Sequence, residues 1–368
     1  MKSLSIGGLN IAVPIIQGGM GVGISLHRLS SAVAHEGGVG VISSAGLGLL
    51  YRHLSKDYLE ASILGLREEI RKAREKTSGW IGVNIMVALS NFEDMVRTSI
   101  EEKVDMIISG AGLPLDLPKY LQKDSVTKLI PIVSSGRAAK ILCDKWKNGF
   151  NYLPDAIVVE GPKAGGHLGF KANQIQDEKF QLEELIPEVV NEVAAFEKEY
   201  NQEIPVIAAG GIYTGEDIYN MIQLGAKGVQ MGTQFVTTEE CDASDEFKQT
   251  YITAKEEDVE IIVSPVGMPG RAIRNEFLDA VKRGDKKPIN CPVKCIKTCN
   301  VETTPYCIIN ALMNAYKGKL QAGYAFAGSN AYRATHIRTV HEVMTQLQEE
   351  YQRAEAMHAM TTEEICVL

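Results

Sequence analysis

The chain has 368 residues, of which 45% are hydrophobic, so it is long enough for one large domain and a smaller one around a substantial core. Its 38 Lys and Arg residues against 46 Asp and Glu residues give a net charge of −8, which argues against non-specific binding to nucleic acid. The first twenty residues lack the apolar core of a signal peptide, and no apolar run reaches the roughly 18 residues of a membrane span. With seven cysteines and no secretion signal, the sequence predicts a cytoplasmic protein in a reducing environment.

Eight short apolar runs recur along the first 235 residues, and a more polar segment of helical character follows each of them. The runs are 11–17, 38–44, 80–86, 104–109, 129–135, 156–160, 204–210 and 228–235. Their nearly continuous apolar character is typical of parallel strands covered on both faces, and the spacing leaves room for one helix in each crossover. The pattern predicts an α/β protein with a (β/α)8, or TIM, barrel. The alternative is a doubly wound open sheet.

The barrel is favoured because residues suited to chemistry stand at the carboxyl ends of several predicted strands. These residues are Gln17, Asn84, Glu160, Gly210 and Thr233. An open sheet concentrates its site at one switch point, whereas a barrel draws its site from the ends of many strands.

Beyond residue 235 the sequence pattern changes. Residues 236–320 are richer in charge and in segments of helical character, and we interpret them as a smaller helical cap inserted before the C-terminal helix. Residues 321–368 begin with a return segment rich in Gly and Ala and end in a helix with one apolar stripe. The expected domains are therefore a barrel at 1–235, the cap at 236–320, and a return segment and helix at 321–368 that pack on the barrel.

Two glycine-rich turns end the last two predicted strands. The turns contain Gly210 and Gly211 after the seventh strand, and Gln230, Met231, Gly232 and Thr233 at the end of the eighth. In a TIM barrel the loops after strands seven and eight often bind one phosphate through their backbone N–H groups. Glycines of this kind also serve as plain tight turns, but their pairing at these two strands favours phosphate binding.

Three further features indicate a planar ring beside that phosphate. Gly18 and Gly19 have no Cβ, so a flat ring can approach their backbone. Asn84 places an amide in an apolar strand, and Glu160 ends another strand in a carboxylate. Together these contacts suggest FMN. No GxGxxG turn follows the first strand, so a Rossmann dinucleotide site is not indicated.

Five segments resemble those of the nitronate monooxygenase (2-nitropropane dioxygenase) family and, equally, those of its close relative, the FMN-dependent enoyl-acyl-carrier-protein reductase. They are PIIQGGMGVGIS, GVNIM, EGPKAGGHLGF, AAGGI and QMGTQF. SPVGMPGRAIRNEF and YAFAGSNA resemble the cap and return segments of the same proteins, so the resemblance covers nearly the whole chain. It implies a TIM barrel that binds FMN through Gln17, Gly18, Gly19, Met20, Asn84, Glu160, Gly165, Gly211, Gln230, Met231, Gly232 and Thr233.

The same resemblance implies that His167 is the active-site histidine. It follows Ala164, Gly165 and Gly166, which are small enough to let the loop lie against a flavin. An imidazole with an ordinary pKa near 6.5 suits proton transfer at neutral pH. With a nitroalkane, His167 would remove the proton next to the nitro group. With an enoyl thioester it would donate a proton or help to place a nicotinamide.

Three functions are compatible with these motifs. The favoured one is a nitronate monooxygenase that oxidises alkyl nitronates or nitroalkanes with O₂. The second is an enoyl-acyl-carrier-protein reductase that uses NAD(P)H as co-substrate, and the third is a flavin-binding partner subunit without turnover of its own. The expected partner is a small-molecule substrate, with no nucleic acid and no membrane, and with a homodimer left open.

Four cysteines form a window that does not belong to the family pattern. They are Cys291, Cys295, Cys299 and Cys307, in the spacing C-x3-C-x3-C-x7-C. Four thiolates within 17 residues are candidate ligands for an Fe–S cluster or for zinc, although the spacing matches neither a zinc ribbon nor a ferredoxin. The alternative is a set of reduced cysteines in a helical cap, where residues four apart share one helix face.

Overall fold

The structure, a computed structural model, describes residues 1–286, 291 and 293–366, with the backbone alone for 361–366. The strands in these residues are β1 (Leu4–Ile6), β2 (Leu9–Ile11), β3 (Ile15–Gln17), β4 (Val39–Ser43), β5 (Trp80–Met86), β6 (Met106–Gly110), β7 (Lys128–Val133), β8 (Ile157–Glu160), β9 (Gly166–His167), β10 (Val206–Ala209), β11 (Gly228–Met231), β12 (Val259–Val263) and β13 (Pro269–Ile273). The helices are α1 (His27–His35), α2 (Leu47–Leu50), α3 (Tyr58–Lys76), α4 (Phe92–Glu101), α5 (Gly136–Phe150), α6 (Leu182–Tyr200), α7 (Gly215–Gln223), α8 (Thr233–Val236), α9 (Asp245–Thr253), α10 (Glu276–Lys282), α11 (Ile308–Tyr316) and α12 (Val340–Cys366). Short 3₁₀ helices lie at Leu117–Tyr120, Ala172–Gln174, Glu178–Phe180, Glu256–Asp258, Leu320–Ala322 and Ala331–Arg333.

Eight strands close into a parallel barrel in the order β10-β11-β3-β4-β5-β6-β7-β8. Each of the eight predicted apolar runs overlaps one of these strands, with β6 and β7 each extending one residue beyond its run, so the prediction of a TIM barrel is confirmed. The strands are apolar throughout because successive side chains point to opposite faces of the sheet, and both faces are buried. One set fills the barrel interior, and the other packs against the surrounding helices.

The N-terminal hairpin of β1 and β2 closes the amino end of the barrel. Leu4, Ile6 and Ile11 are buried in the same cluster as side chains from inside the barrel, among them Val39 and Ala156 at the starts of their strands. The opposite rim, formed by the carboxyl ends of the strands, is therefore the end of the barrel that can form a ligand-binding site. The strand register places Glu160 beside Ala209 on this rim.

The cap, residues 236–320, contains the helices α9, α10 and α11 and also a hairpin of β12 and β13 that the sequence did not reveal. β13 pairs on its other side with β9, where Gly270 lies opposite His167 and Arg271 lies opposite Gly166. A three-stranded sheet thus joins the cap to the loop after β8. The division of the chain at residues 235 and 320 remains a proposal, because side chains from all three segments line one cavity.

The C-terminal helix α12 returns to the barrel. Val340, Val343, Met344 and Leu347 are buried in the core cluster outside the barrel strands, as the apolar stripe predicted. Within the described residues, no helix combines the length and apolar composition that crossing a membrane requires.

Asp242 links the start of the cap to the first barrel helix. Helix α1 begins after Leu26, which supplies no side-chain cap. The Asp242 carboxylate instead accepts hydrogen bonds from the backbone N–H groups of Leu26 at 2.8 Å and Leu29 at 3.2 Å. Because loss of an N-cap acceptor costs about 1–2 kcal/mol, we expect Asp242→Ala to lower the free energy of unfolding by that amount in urea titrations.

Asp242→Asn is the matched control, since it keeps one side-chain oxygen as an acceptor. We expect it to lose clearly less stability than Asp242→Ala. Equal stability of the Ala variant and the wild type would show that the carboxylate does not cap this helix.

Candidate active site

A cavity of about 520 Å³ lies at the carboxyl ends of the barrel strands. Its walls come from the strand-end loops, from the cap and from the return segment, and its volume is typical of a small-molecule or cofactor site. The sequence-predicted residues that line it are Gly18, Gly19, Met20, Asn84, Glu160, Gly165, His167, Gly210, Gly211, Gln230, Met231, Gly232 and Thr233.

Gln17 does not line the cavity, although it ends the first barrel strand. Its side chain is fully buried, and its Oε1 accepts a hydrogen bond from the backbone N–H of Val41 at 2.9 Å. Its Nε2 donates to the carbonyl oxygen of Gly18. The structure therefore uses this amide to join β3 to β4 beneath the site.

The two turns predicted to bind phosphate lie side by side on the rim. Gly210 and Gly211 have φ values of 95° and 88°, a region that residues with a Cβ rarely adopt. The side-chain amide of Asn330 donates to the carbonyl oxygen of Gly211 at 2.7 Å and so holds the first turn in place. Backbone N–H groups exposed in such turns form concave sites for anions, which suits a phosphate.

Two amide side chains face the same cavity. Asn84 donates from Nδ2 to the carbonyl oxygen of Ile108 at 3.3 Å. The Oε1 atom of Gln230 is buried and has no hydrogen-bond partner among the described residues. A buried acceptor without a donor costs free energy, so Gln230 fits a bound group that supplies an N–H or O–H. Together with the two turns, these amides fit FMN.

His167 lies on β9 at the junction of the cavity and the cap. Its Nε2 is 2.6 Å from the Oγ atom of Ser264, and its ring packs edge-on against Phe326 with centroids 5.0 Å apart. Burial lowers the pKa of His167 to about 4, because a cation is poorly solvated there. The sequence predicted an ordinary pKa near 6.5. The imidazole is instead neutral throughout the neutral pH range.

Glu160 lines the cavity from the end of β8. Burial raises the pKa of its carboxyl group to about 7, since the charged form loses solvation and gains no cationic partner. Near neutral pH this side chain therefore exists in both protonation states.

Arg271 places a buried positive charge behind the loop that follows β8. It is 7% exposed, and its Nη1 donates to the carbonyl oxygens of Pro162 at 2.7 Å and Ala164 at 2.6 Å. No carboxylate forms an ion pair with it within the described residues. Burial lowers the pKa of the guanidinium to about 10, so it stays charged at neutral pH. The cavity therefore lies close to an uncompensated cation, which favours anionic ligands.

Sequence reasoning did not single out Ser264, Arg271 or Asn330. All three lie in SPVGMPGRAIRNEF or YAFAGSNA, the segments that resemble the cap and return of the family. The resemblance to the family therefore pointed to these two segments but not to the three individual residues. The roles of these residues appear only in the fold, which brings Ser264 and Arg271 to the loop after β8 and Asn330 to the turn after β10. Each contact joins residues more than 90 positions apart in the chain.

The four-residue spacing of the cysteines would place them on one face of a helix, but the described part of this window forms no helix. The described residues from 293 to 300 are irregular, and Ile296 forms an isolated bridge with Leu89 in the loop after β5. Cys295 is buried in an apolar cluster against which Cys299 and Cys307 pack, and Cys291 is partly exposed. Among the residues described, no group of three or more His, Cys, Asp or Glu side chains is arranged to hold a metal ion. An Fe–S or zinc site therefore stays a prediction from spacing alone.

Comparison with known proteins shows the family of the chain. A family model described as nitronate monooxygenase matches residues 2–350. A probable nitronate monooxygenase of Staphylococcus saprophyticus is 28% identical over 362 residues, which cover 89% of this chain and 92% of the relative. A (3aS,4S,5R,7aS)-5-hydroxy-7a-methyl-1-oxo-octahydro-1H-indene-4-carboxyl-CoA dehydrogenase of Mycobacterium tuberculosis is 30% identical over 278 residues, covering 76% of this chain and 68% of the relative.

Solved structures give the same picture of the fold. FabK from Thermotoga maritima is similar with a TM-score of 0.72 and 28% identity, over 96% of each chain. A nitroalkane oxidase from Streptomyces ansochromogenes has a TM-score of 0.70 over 94% of this chain and 98% of its own. At 20% identity, that second likeness supports the fold alone.

The glycine turn at Gly211 generates a prediction about cofactor retention. A Cβ at this position would lie 2.8 Å from the Cβ of Lys163, and φ is +88°. We expect Gly211→Leu to block the close approach of a phosphate and to weaken FMN binding roughly tenfold or more, measured by flavin absorbance after desalting.

Gly8→Leu is the matched control, because Gly8 has the same φ of +88° but no atom within 4 Å of an added Cβ. It carries the same backbone strain in the N-terminal hairpin, far from the rim. Full retention of flavin by Gly211→Leu, or equal loss in both variants, would contradict a phosphate site at this turn.

The raised pKa of Glu160 generates a prediction about stability and pH. A carboxyl group whose folded-state pKa lies above its unfolded value of about 4.3 stabilises the fold at low pH, and this contribution is lost as pH rises through the folded pKa. For Glu160 that loss ends near pH 7. In FMN-free protein we therefore expect the Tm of the wild type to fall between pH 5 and 8 relative to that of Glu160→Gln.

The comparison with Glu160→Gln cancels the contribution of His167, which is present in both proteins. Parallel Tm curves for the two proteins across this range would show that Glu160 titrates normally in the folded state.

Proposed function

The chain belongs to the nitronate monooxygenase family and is an FMN-dependent oxidoreductase, and we propose that it oxidises alkyl nitronates with O₂. The observation that carries the proposal is the position of His167. It lies in the same cavity as the predicted FMN contacts, directly after Gly165 and Gly166. When bound there, FMN would supply the electron transfer from the substrate to O₂.

The charges around the cavity support an anionic substrate. Lys163 lines the cavity, and the buried Arg271 guanidinium lies behind Ala164. His167 is neutral at pH 7, because burial lowers its pKa to about 4. A nitronate carries its negative charge on two oxygens, which these donors and cations can stabilise.

Different residues of the cavity would contact different parts of FMN. The turns at Gly210 and Gly232 would hold the phosphate of FMN, and Asn84 and Gln230 would hold the edge of its ring. Mostly apolar side chains from the cap also line the cavity. These side chains are Val236, Phe247, Tyr251, Met268 and Leu312.

A second function, reduction of an enoyl thioester by NAD(P)H, is favoured by the lining of the cavity. Its wall is largely apolar, which suits the acyl chain of a thioester. FabK from Thermotoga maritima and the carboxyl-CoA dehydrogenase of Mycobacterium tuberculosis are also among the similar proteins. In this alternative, NAD(P)H would be the reductant and Glu160, protonated in part near pH 7, would be a proton donor.

One pair of assays with the purified FMN-loaded protein separates these functions. Oxygen uptake is followed with propyl-2-nitronate, and NAD(P)H oxidation is followed with crotonyl-CoA under anaerobic conditions. We expect oxygen uptake that depends on the nitronate and is saturable. NAD(P)H loss that depends on the thioester, without nitronate oxidation, would replace the first function by the second.

His167→Ala serves as the control for both assays. We expect it to retain FMN and to lose nitronate oxidation by roughly 10- to 100-fold, the scale of one hydrogen bond to a charged group. A wild-type protein that binds FMN but is inactive in both assays would indicate a flavin-binding subunit without turnover.

A further inference from the structure

We propose that Ser264 fixes the tautomer of His167, so that the imidazole meets the substrate as a hydrogen-bond donor through Nδ1 and the site selects nitronate anions over neutral nitroalkanes. The selection of nitronates rests on the proposed function, because it requires a nitro compound in the cavity. The assignment of the tautomer does not depend on the proposed function. Ser264 is here a positioning residue that acts through His167.

The two ring nitrogens of His167 lie in different surroundings. Nε2 is 2.6 Å from Ser264 Oγ. Ser264 is 2% exposed and lies outside the cavity lining, so Nε2 points toward the cap. Nδ1 has no hydrogen-bond partner among the described residues, and His167 itself lines the cavity. Nδ1 is therefore the nitrogen that remains for a ligand.

The hydrogen-bond capacity of Ser264 decides which nitrogen carries the proton. A hydroxyl group has one proton to donate and can accept from other donors. The backbone N–H of Val266 approaches Ser264 Oγ at 3.4 Å as a donor, and His167 Nε2 is the one acceptor within reach among the described residues. The hydroxyl proton thus points at Nε2, which leaves the ring proton on Nδ1. The other tautomer would leave a buried hydroxyl proton without an acceptor.

The backbone keeps both partners of this bond in place. Ser264 begins the turn between β12 and β13, where its N–H donates to Met268 at 3.0 Å. β13 then pairs with β9, and Leu168, next to His167, donates to Pro269 at 2.8 Å. The same hairpin therefore carries Ser264 and holds the strand of His167.

This tautomer decides what His167 can do to a nitro compound. An Nδ1–H group can donate to an oxygen of the nitronate anion. It cannot take the α-proton of a neutral nitroalkane, because Nδ1 already carries a proton. The low pKa of His167 agrees with a neutral donor. Among the described residues, the other titratable or charged groups at the cavity are Glu160, Lys163 and Tyr251 in its lining and Arg271 behind the loop.

Nitrogen-15 NMR of the FMN-loaded protein, labelled at histidine, tests the tautomer without any assay of activity. His167 is assigned by comparison with His167→Gln. At pH 7.5 we expect the wild type to show an unprotonated Nε2 and a protonated Nδ1. We expect Ser264→Ala to show a mixture of tautomers, and Ser264→Thr, which keeps the hydroxyl, to match the wild type. A protonated Nε2 in the wild type would overturn the proposal.

Kinetics with propyl-2-nitronate and freshly dissolved 2-nitropropane test the selection. We expect the wild type to prefer the nitronate in kcat/KM, and Ser264→Ala to reduce this preference about 5- to 10-fold, the scale of one hydrogen bond. Ser264→Thr is expected to restore the preference. Equal use of both compounds by the wild type would overturn the selection.

Glu160→Gln shows whether any residual nitroalkane activity comes from that carboxylate as a base, which would leave the role of His167 as a donor intact. If the wild type turns over neither compound, the proposed function fails and the selection fails with it. The NMR result still decides the tautomer.

Discussion

The site depends on the short antiparallel pairing between β13 of the cap and β9 in the loop that follows β8. Two residue pairs in this ladder place Gly166 opposite Arg271 and His167 opposite Gly270. Arg271 then adds two hydrogen bonds to carbonyl oxygens of the same loop. The backbone N–H of Ser329 adds a further hydrogen bond, to the carbonyl oxygen of Lys163 at 3.1 Å. With these contacts, the loop becomes one wall of the cavity.

Burial shapes the chemistry of this wall more than direct ion pairing does. It raises the pKa of Glu160 to about 7, lowers that of His167 to about 4 and lowers that of Arg271 to about 10. Each shift disfavours the charged form, as expected where the dielectric constant is low. Arg271 alone remains charged across the neutral range, because an ordinary guanidinium pKa is so high. The result is a site with a positive bias and a neutral imidazole.

Much of this architecture was predictable from the sequence, because parallel barrel strands leave a simple apolar signature. All eight strands lie within the predicted runs or extend at most one residue beyond them, and twelve of the thirteen predicted cofactor residues line the cavity. Gln17 is the exception, since a polar residue at a strand end looks the same whether it faces a ligand or, as here, bonds to Val41. The hairpin of β12 and β13 was missed because one of its strands mixes charged and apolar residues. The lowered pKa of His167 depends on burial by Phe326 and the cap, which no local pattern encodes.

The hydrogen bond from Asn330 to Gly211 has a consequence for the order in which the protein matures. The turn that would hold the cofactor phosphate is braced by a residue 119 positions further along the chain. During synthesis at the ribosome, the barrel strands emerge before this brace does. The turn therefore gains the hydrogen bond from Asn330 only after the cap and the start of the return segment have been made. A chain cut before residue 330 would keep the glycine turn but would lack this brace.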